Sequence, residues 1–230
     1  MIDGTYFASW CLLVAYNGTH VVAWQWAMRE NTAAYTALLS HLAQPDIIIT
    51  DGHRACAQAI KQTWPNPAIQ RCFFHIYQRV IQLITTRPRT QAGIEILQLT
   101  KTLMNISTPT QASSWLVQYT QWETRWHDMG KERSYLGPRP ISITDQRRWW
   151  WTHRNLRSVR GMYRAMIKNN TLFTYLKPLT TNPQAHPYPK TTSPLEGTIN
   201  AAIKRLLSQH RGLSIDHACQ AAEWYLNTKT

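Results

Sequence analysis

The chain has 230 residues, 43% of them hydrophobic, with 11 tryptophans and 10 tyrosines, and it sets 25 lysines and arginines against only 12 acids for a formal net charge of +13. That apolar and aromatic content excludes a disordered basic tail and puts the positive charge on a folded surface. The length allows a full core without staples, no apolar run approaches the ~20 residues of a membrane span, and the scattered Cys11, Cys56, Cys72 and Cys219, with no secretory leader, read as reduced thiols of a cytosol.

In chain order, residues 5–28 read as strands: a run over 6–16, a turn at Asn17-Gly18, and a second run over 20–26. Asn-Gly between β-rich runs is the strongest short hairpin signal. Asn31-Thr32 caps a helix to about residue 42, with Ala34, Leu38, Leu39 and Leu42 on one side, ending before Pro45. The apolar run Ile47-Ile48-Ile49-Thr50 reads as a short strand covered on both faces, with Asp51 at its carboxyl end. A helix over about 53–63 and a strand over 68–73 follow, giving the order βββαβαβ.

Residues 75–176 read as helical and rich in tryptophan, with Trp115, Trp122, Trp126 and the run Trp149-Trp150-Trp151, and with breaks near Pro88, Pro109 and Pro138-Arg139-Pro140. Pro178, Pro183, Pro187 and Pro189 mark a loop that returns the chain, after which Ser193-Pro194-Leu195-Glu196 opens a helix to about residue 210. On it Asn200 and Lys204 follow Glu196 at steps of four, while Leu195, Ile199, Ile203 and Leu206 form the buried side. A last helix covers about 214–226. The expected class is α/β, a mixed sheet with flanking helices interrupted by a large α-helical insertion, divided as 1–76, 77–177 and 178–230.

Three acids stand at edges of regular structure: Asp3, Asp51 and Glu196. Each has a local explanation, since Asp3-Gly4 could be a hairpin turn, Asp51 a helix N-cap, and Glu196 the return partner of Ser193 in a capping box. Together they could gather beyond strand ends and hold a hard cation. Between Asp145 and Glu196 there is no acid, while Arg147, Arg148, Arg154, Arg157, Arg160, Arg164, Lys168, Lys177 and Lys190 all fall there. Such a face suits a polyanion, with Arg154, Arg157, Arg160, Arg164, Lys204 and Arg205 as DNA-contact candidates and the adjoining tryptophans able to stack bases. Three successive tryptophans cannot share one helix face. Cys72-x-x-His75 is only half a zinc site, because no second pair at similar spacing appears.

The segments Ile2-Asp3-Gly4-Thr5-Tyr6-Phe7, Thr50-Asp51-Gly52-His53, Cys72-Phe73-Phe74-His75, Trp151-Thr152-His153-Arg154-Asn155-Leu156-Arg157, Leu172-Phe173-Thr174-Tyr175-Leu176 and Thr192-Ser193-Pro194-Leu195-Glu196-Gly197-Thr198-Ile199-Asn200 carry a resemblance. The chain is similar to the catalytic part of an insertion-sequence transposase of the Asp-Asp-Glu class, close to the Mutator-like bacterial group. The resemblance implies an RNase H-like core, with Asp3, Asp51 and Glu196 holding two magnesium or manganese ions for DNA cleavage and strand transfer, and His75 beside them. It implies transposon ends and target DNA as partners, with a homo-oligomer on the DNA and no membrane role. Members usually carry an N-terminal DNA-binding region, so the sequence reads as a truncated copy, an internal start or a fragment of a split frame. The competing expectations are a catalytically dead DNA-binding remnant and a stand-alone nuclease of the same fold.

Overall fold

The computed structural model describes residues 1–7, 9–135 and 148–230, so Pro138-Arg139-Pro140, Asp145 and Arg147 lie outside the described residues. The chain is α/β and divides into two compact units, residues 1–74 with 188–230, and residues 75–187.

In the first unit, β1 (Ile2–Phe7), β2 (Trp10–Tyr16) and β3 (Val21–Ala27) form an antiparallel sheet in that order. The run expected over 6–16 is therefore two strands, and Asp3 sits inside β1 opposite Val14 rather than in a turn. The Asn17-Gly18 turn joins β2 to β3: the Asn17 side chain accepts from the amides of Thr19 (2.9 Å) and His20 (2.7 Å), and Gly18 takes a φ of +114°.

β2 is buried along nearly its whole length because helices cover both faces. Cys11, Leu13 and Ala15 point to one core with Tyr35, Leu38, Leu39, Ile48 and Ile60, whereas Leu12, Val14 and Tyr16 point to a second with Leu195, Ile199, Ile203 and Leu226. Period-two alternation thus feeds two apolar layers instead of one core and one wet face.

α1 (Thr32–Ser40) starts where expected, with the Asn31 side chain accepting from the Ala34 amide at 2.9 Å. β4 (Ile48–Thr50) pairs in parallel with β5 (Ile69–Arg71), and α2 (Arg54–Thr63) connects them. β5 stops at Arg71 because Phe73 already begins α3 (Phe73–Ile84), so Cys72 and Phe73 leave the expected strand. Among the described residues the hydrogen-bonded ladders form separate sheets; β1 lies beside β4 without a ladder between them.

The second unit contains most of α3, then α4 (Gln91–Thr102) and α5 (Pro109–Arg125), the strands β6 (Arg133–Tyr135) and β7 (Trp149–Trp151), and the helices α6 (Arg154–Lys168) and α7 (Lys177–Thr181). Trp115 and Trp122 are core residues whose polar tips are satisfied: Trp115 Nε1 donates to Leu99 O (2.8 Å) and Trp122 Nε1 to Ala92 O (2.9 Å). Tyr163 is fully buried, and its hydroxyl meets Thr100 Oγ1 at 2.7 Å. An aromatic with a bonded polar tip fills space without leaving an orphaned group.

The tryptophan run corrects the helical expectation. Trp149-Trp150-Trp151 is a strand paired antiparallel with Arg133-Ser134-Tyr135. Strand alternation puts Trp149 and Trp151 on one side, their rings 5.0 Å apart, with the Arg133 guanidinium 4.2 Å over Trp149 and 5.2 Å over Trp151. Aromatic side chains favour this half-buried pleated setting, and the cations over their faces add to it.

Back in the first unit, the Glu196 segment is a π-helical turn over Leu195–Asn200, continuing as α8 (Ala201–Gln209) before α9 (Ile215–Asn227). Its wider turn shifts the phase of the following helix, so Leu207 rather than Leu206 completes the buried side, and Asn200 is buried while Lys204 is exposed. Among the described residues, no helix is long and apolar enough to cross a membrane.

Candidate active site

Asp3, Asp51 and Glu196 all belong to the first unit, and each is half-buried. β1 carries Asp3, whose Oδ2 accepts from Asn200 Nδ2 at 2.7 Å, tying the first strand to the end of the π turn. Asp51 follows β4 directly. It does not cap α2; its Oδ1 accepts from the His53 amide at 2.7 Å, closing a turn of the Asx kind around Gly52.

Gly52 is required there twice over. Its φ is +84°, and a Cβ would fall 1.7 Å from Arg71 Cζ. The Arg71 guanidinium lies against that glycine and donates from Nη2 to Asp51 O at 2.7 Å. Burial pulls the Arg71 pKa down, and the charge of Asp51 opposes that shift.

Glu196 does not close a capping box with Ser193. Its Oε1 accepts from Thr192 Oγ1 at 2.5 Å. The fully buried Thr192 also lies against Cys72, with its amide and hydroxyl 3.3 and 3.2 Å from Cys72 Sγ. One hydroxyl proton serves one acceptor at a time, and a carboxylate is the stronger. Cys72 is thus a buried strut under the Glu196 turn, and His75 occupies the first turn of α3.

One acid escaped the sequence reading. Glu30, between β3 and α1, accepts from Tyr35 Oη at 2.6 Å and lies 3.7 Å from His53 Nδ1. Its Oε1 also lies so close to the strand that a Cβ on Gly4 would meet it at 2.6 Å. The signal was present: an acid at a strand-to-helix junction immediately before a cap. Burial first, then the negative charges of Asp51, Glu30 and Asp3, push the Cys56 thiol far above its ordinary range. Burial and then Glu30 lead the rise of Cys11 to about 12, with Asp3 adding to it. Asp3 and Glu30 therefore act on both thiols, and Asp51 on Cys56 alone.

The donor set is hard oxygen, which suits magnesium or manganese. Asp3, Asp51 and Glu196 do not offer ligand oxygens all within 4.8 Å of one another. A single small ion, with oxygens at about 2.1 Å, would need them closer.

The basic candidates divide. Arg157 donates to Gly130 O and lies 3.7 Å over the Trp151 ring, Arg164 is paired with Glu123, and Arg160 packs against Gly130. These three have partners within the second unit, although Arg164 is itself exposed. Arg154 on α6, and Lys204 and Arg205 on α8 of the first unit, are exposed.

Residues 2–79 match the family model of the MULE transposase domain. That match supports a Mutator-like transposase. It covers Asp3, Glu30, Asp51, Cys72 and His75, and it ends before Glu196. No curated protein matches the chain.

Proposed function

We propose that this chain is the catalytic part of a Mutator-like transposase, a metal-dependent polynucleotidyl transferase that cleaves and joins DNA phosphodiesters. The observation that carries the reading is the MULE match over residues 2–79, within which Asp3 and Asp51 stand on β1 and directly after the neighbouring β4. An RNase H-like core follows if β1 and β4 join the two ladders into the order β3-β2-β1-β4-β5, and their adjacency supports that.

Asp3, Asp51 and Glu196 would hold two magnesium or manganese ions, which when bound supply an activated water or 3′-hydroxyl and stabilise the leaving oxygen. The chain's own part is orientation. Asn200 steadies Asp3, the Gly52 turn and Arg71 steady Asp51, and Thr192 steadies Glu196. Arg154, Lys204 and Arg205 are the exposed cations best suited to DNA phosphates. Assembly as a homo-oligomer on transposon ends belongs to the same proposal.

Asp51→Asn tests the reading, because it keeps the side-chain oxygen that closes the turn while removing the charge. We expect loss of manganese-dependent plasmid nicking with an unchanged circular dichroism spectrum. Equal nicking by parent and variant would remove Asp51 from the site. Parental hydrolysis that never joins strands would favour the stand-alone nuclease, and DNA binding without cleavage the inactive remnant.

A further inference from the structure

We propose that Asn200 is a positioning residue for the ion at Asp3: its amide nitrogen fixes the carboxylate, and its amide oxygen receives a hydrogen bond from a water on that ion. The inference rests on the reading of Asp3 as a metal ligand, and it adds a residue that neither the sequence pattern nor the MULE match assigns.

Asn200 closes the π turn that begins beside Glu196, and only 3% of its surface is exposed. Nδ2 donates to Asp3 Oδ2 at 2.7 Å. Oδ1 is buried and has no hydrogen-bond partner. The amide cannot be turned round, since its oxygen would then face the Asp3 carboxylate with no proton between them. Its orientation is set by Asp3, and the orphaned oxygen is a consequence of that orientation.

Buried acceptors without partners are few in folded proteins, and each calls for an explanation. Packing does not supply one here, because a leucine of similar volume would fill the same space in a layer already formed by Leu195, Ile199 and Ile203. An acceptor held next to a carboxylate suits a donor that arrives with a cation. Water on a divalent ion is such a donor, its protons being more acidic than those of bulk water. The π turn supplies the placement, and irregular turns of this kind are frequent at functional sites.

The test is manganese titration of the full chain, followed by electron paramagnetic resonance, on the parent and on Asp3→Asn, Asn200→Leu and Asn200→Ala. We expect Asp3→Asn to lose the tight site. Asn200→Leu, which keeps volume and removes both polar atoms, should melt cooperatively and bind manganese about 10–100-fold more weakly, the usual loss when a residue supporting a metal ligand is removed. Asn200→Ala, which removes both polar atoms without the bulk of leucine, should bind manganese more weakly by a similar factor. Parental affinity in Asn200→Leu together with loss in Asp3→Asn would overturn the role of Asn200 alone. Parental affinity in Asp3→Asn would overturn the metal reading, and this inference with it. Should Asn200→Leu not fold, parental affinity in Asn200→Ala together with loss in Asp3→Asn overturns the proposal.

Discussion

Residues around Asp51 show how much depends on a position with no side chain. Gly52 lets the chain turn at a φ of +84° while the Arg71 guanidinium lies across it and holds Asp51 O. Gly52→Ala would impose left-handed strain and displace Arg71, and we expect it to cost about 1–3 kcal/mol of stability in urea denaturation. A smaller loss would mean that Arg71 swings away freely. Glu30 and Gly4 repeat the theme more gently, because the close atom is the end of a flexible side chain.

At the scale of elements, local chemistry and tertiary demand share control. α1 is fixed locally: Asn31 caps it, and the cap sets the direction of the chain leaving Glu30. Asn31→Ala should cost about 1 kcal/mol of unfolding free energy, with the loss read as a lower thermal midpoint. β7 is the opposite case. Nothing in three consecutive tryptophans forbids a helix, and the strand is chosen by Arg133 across the ribbon and Arg157 from α6, which each lie over a ring. The π turn at Glu196 is likewise a tertiary outcome, since it buries Asn200 against Asp3 and re-phases α8 so that Leu207 reaches the core.

For the whole molecule, charge is the dominant quantity. A net charge of +13 implies attraction to a polyanion that counterions weaken. If DNA binding engages about six phosphates or more, affinity should fall by roughly 10³-fold or more between about 50 and 200 mM salt, as read by fluorescence anisotropy on a labelled duplex. A flat salt response would exclude the polyanion reading. Arg157 is tied to Gly130 O and the exposed Arg164 is paired with Glu123, so Arg154, Lys204 and Arg205 should carry more of the slope than either.

By itself the sequence determined the alternation of strands and helices from the Asn17-Gly18 hairpin to β5, the Asn31 cap, the position of Asp51 after an apolar strand, and the last helix, because propensity, capping and periodicity act over a few residues; the break between β1 and β2 it did not mark. It left open which local role each acid plays, and it missed Glu30 altogether. Only the tertiary structure decided that Asn200 meets Asp3 across 197 positions of chain, that Thr192 joins Cys72 to Glu196, and that Arg157 faces Trp151. Those contacts depend on where distant segments pack, and a short window of sequence carries no record of that.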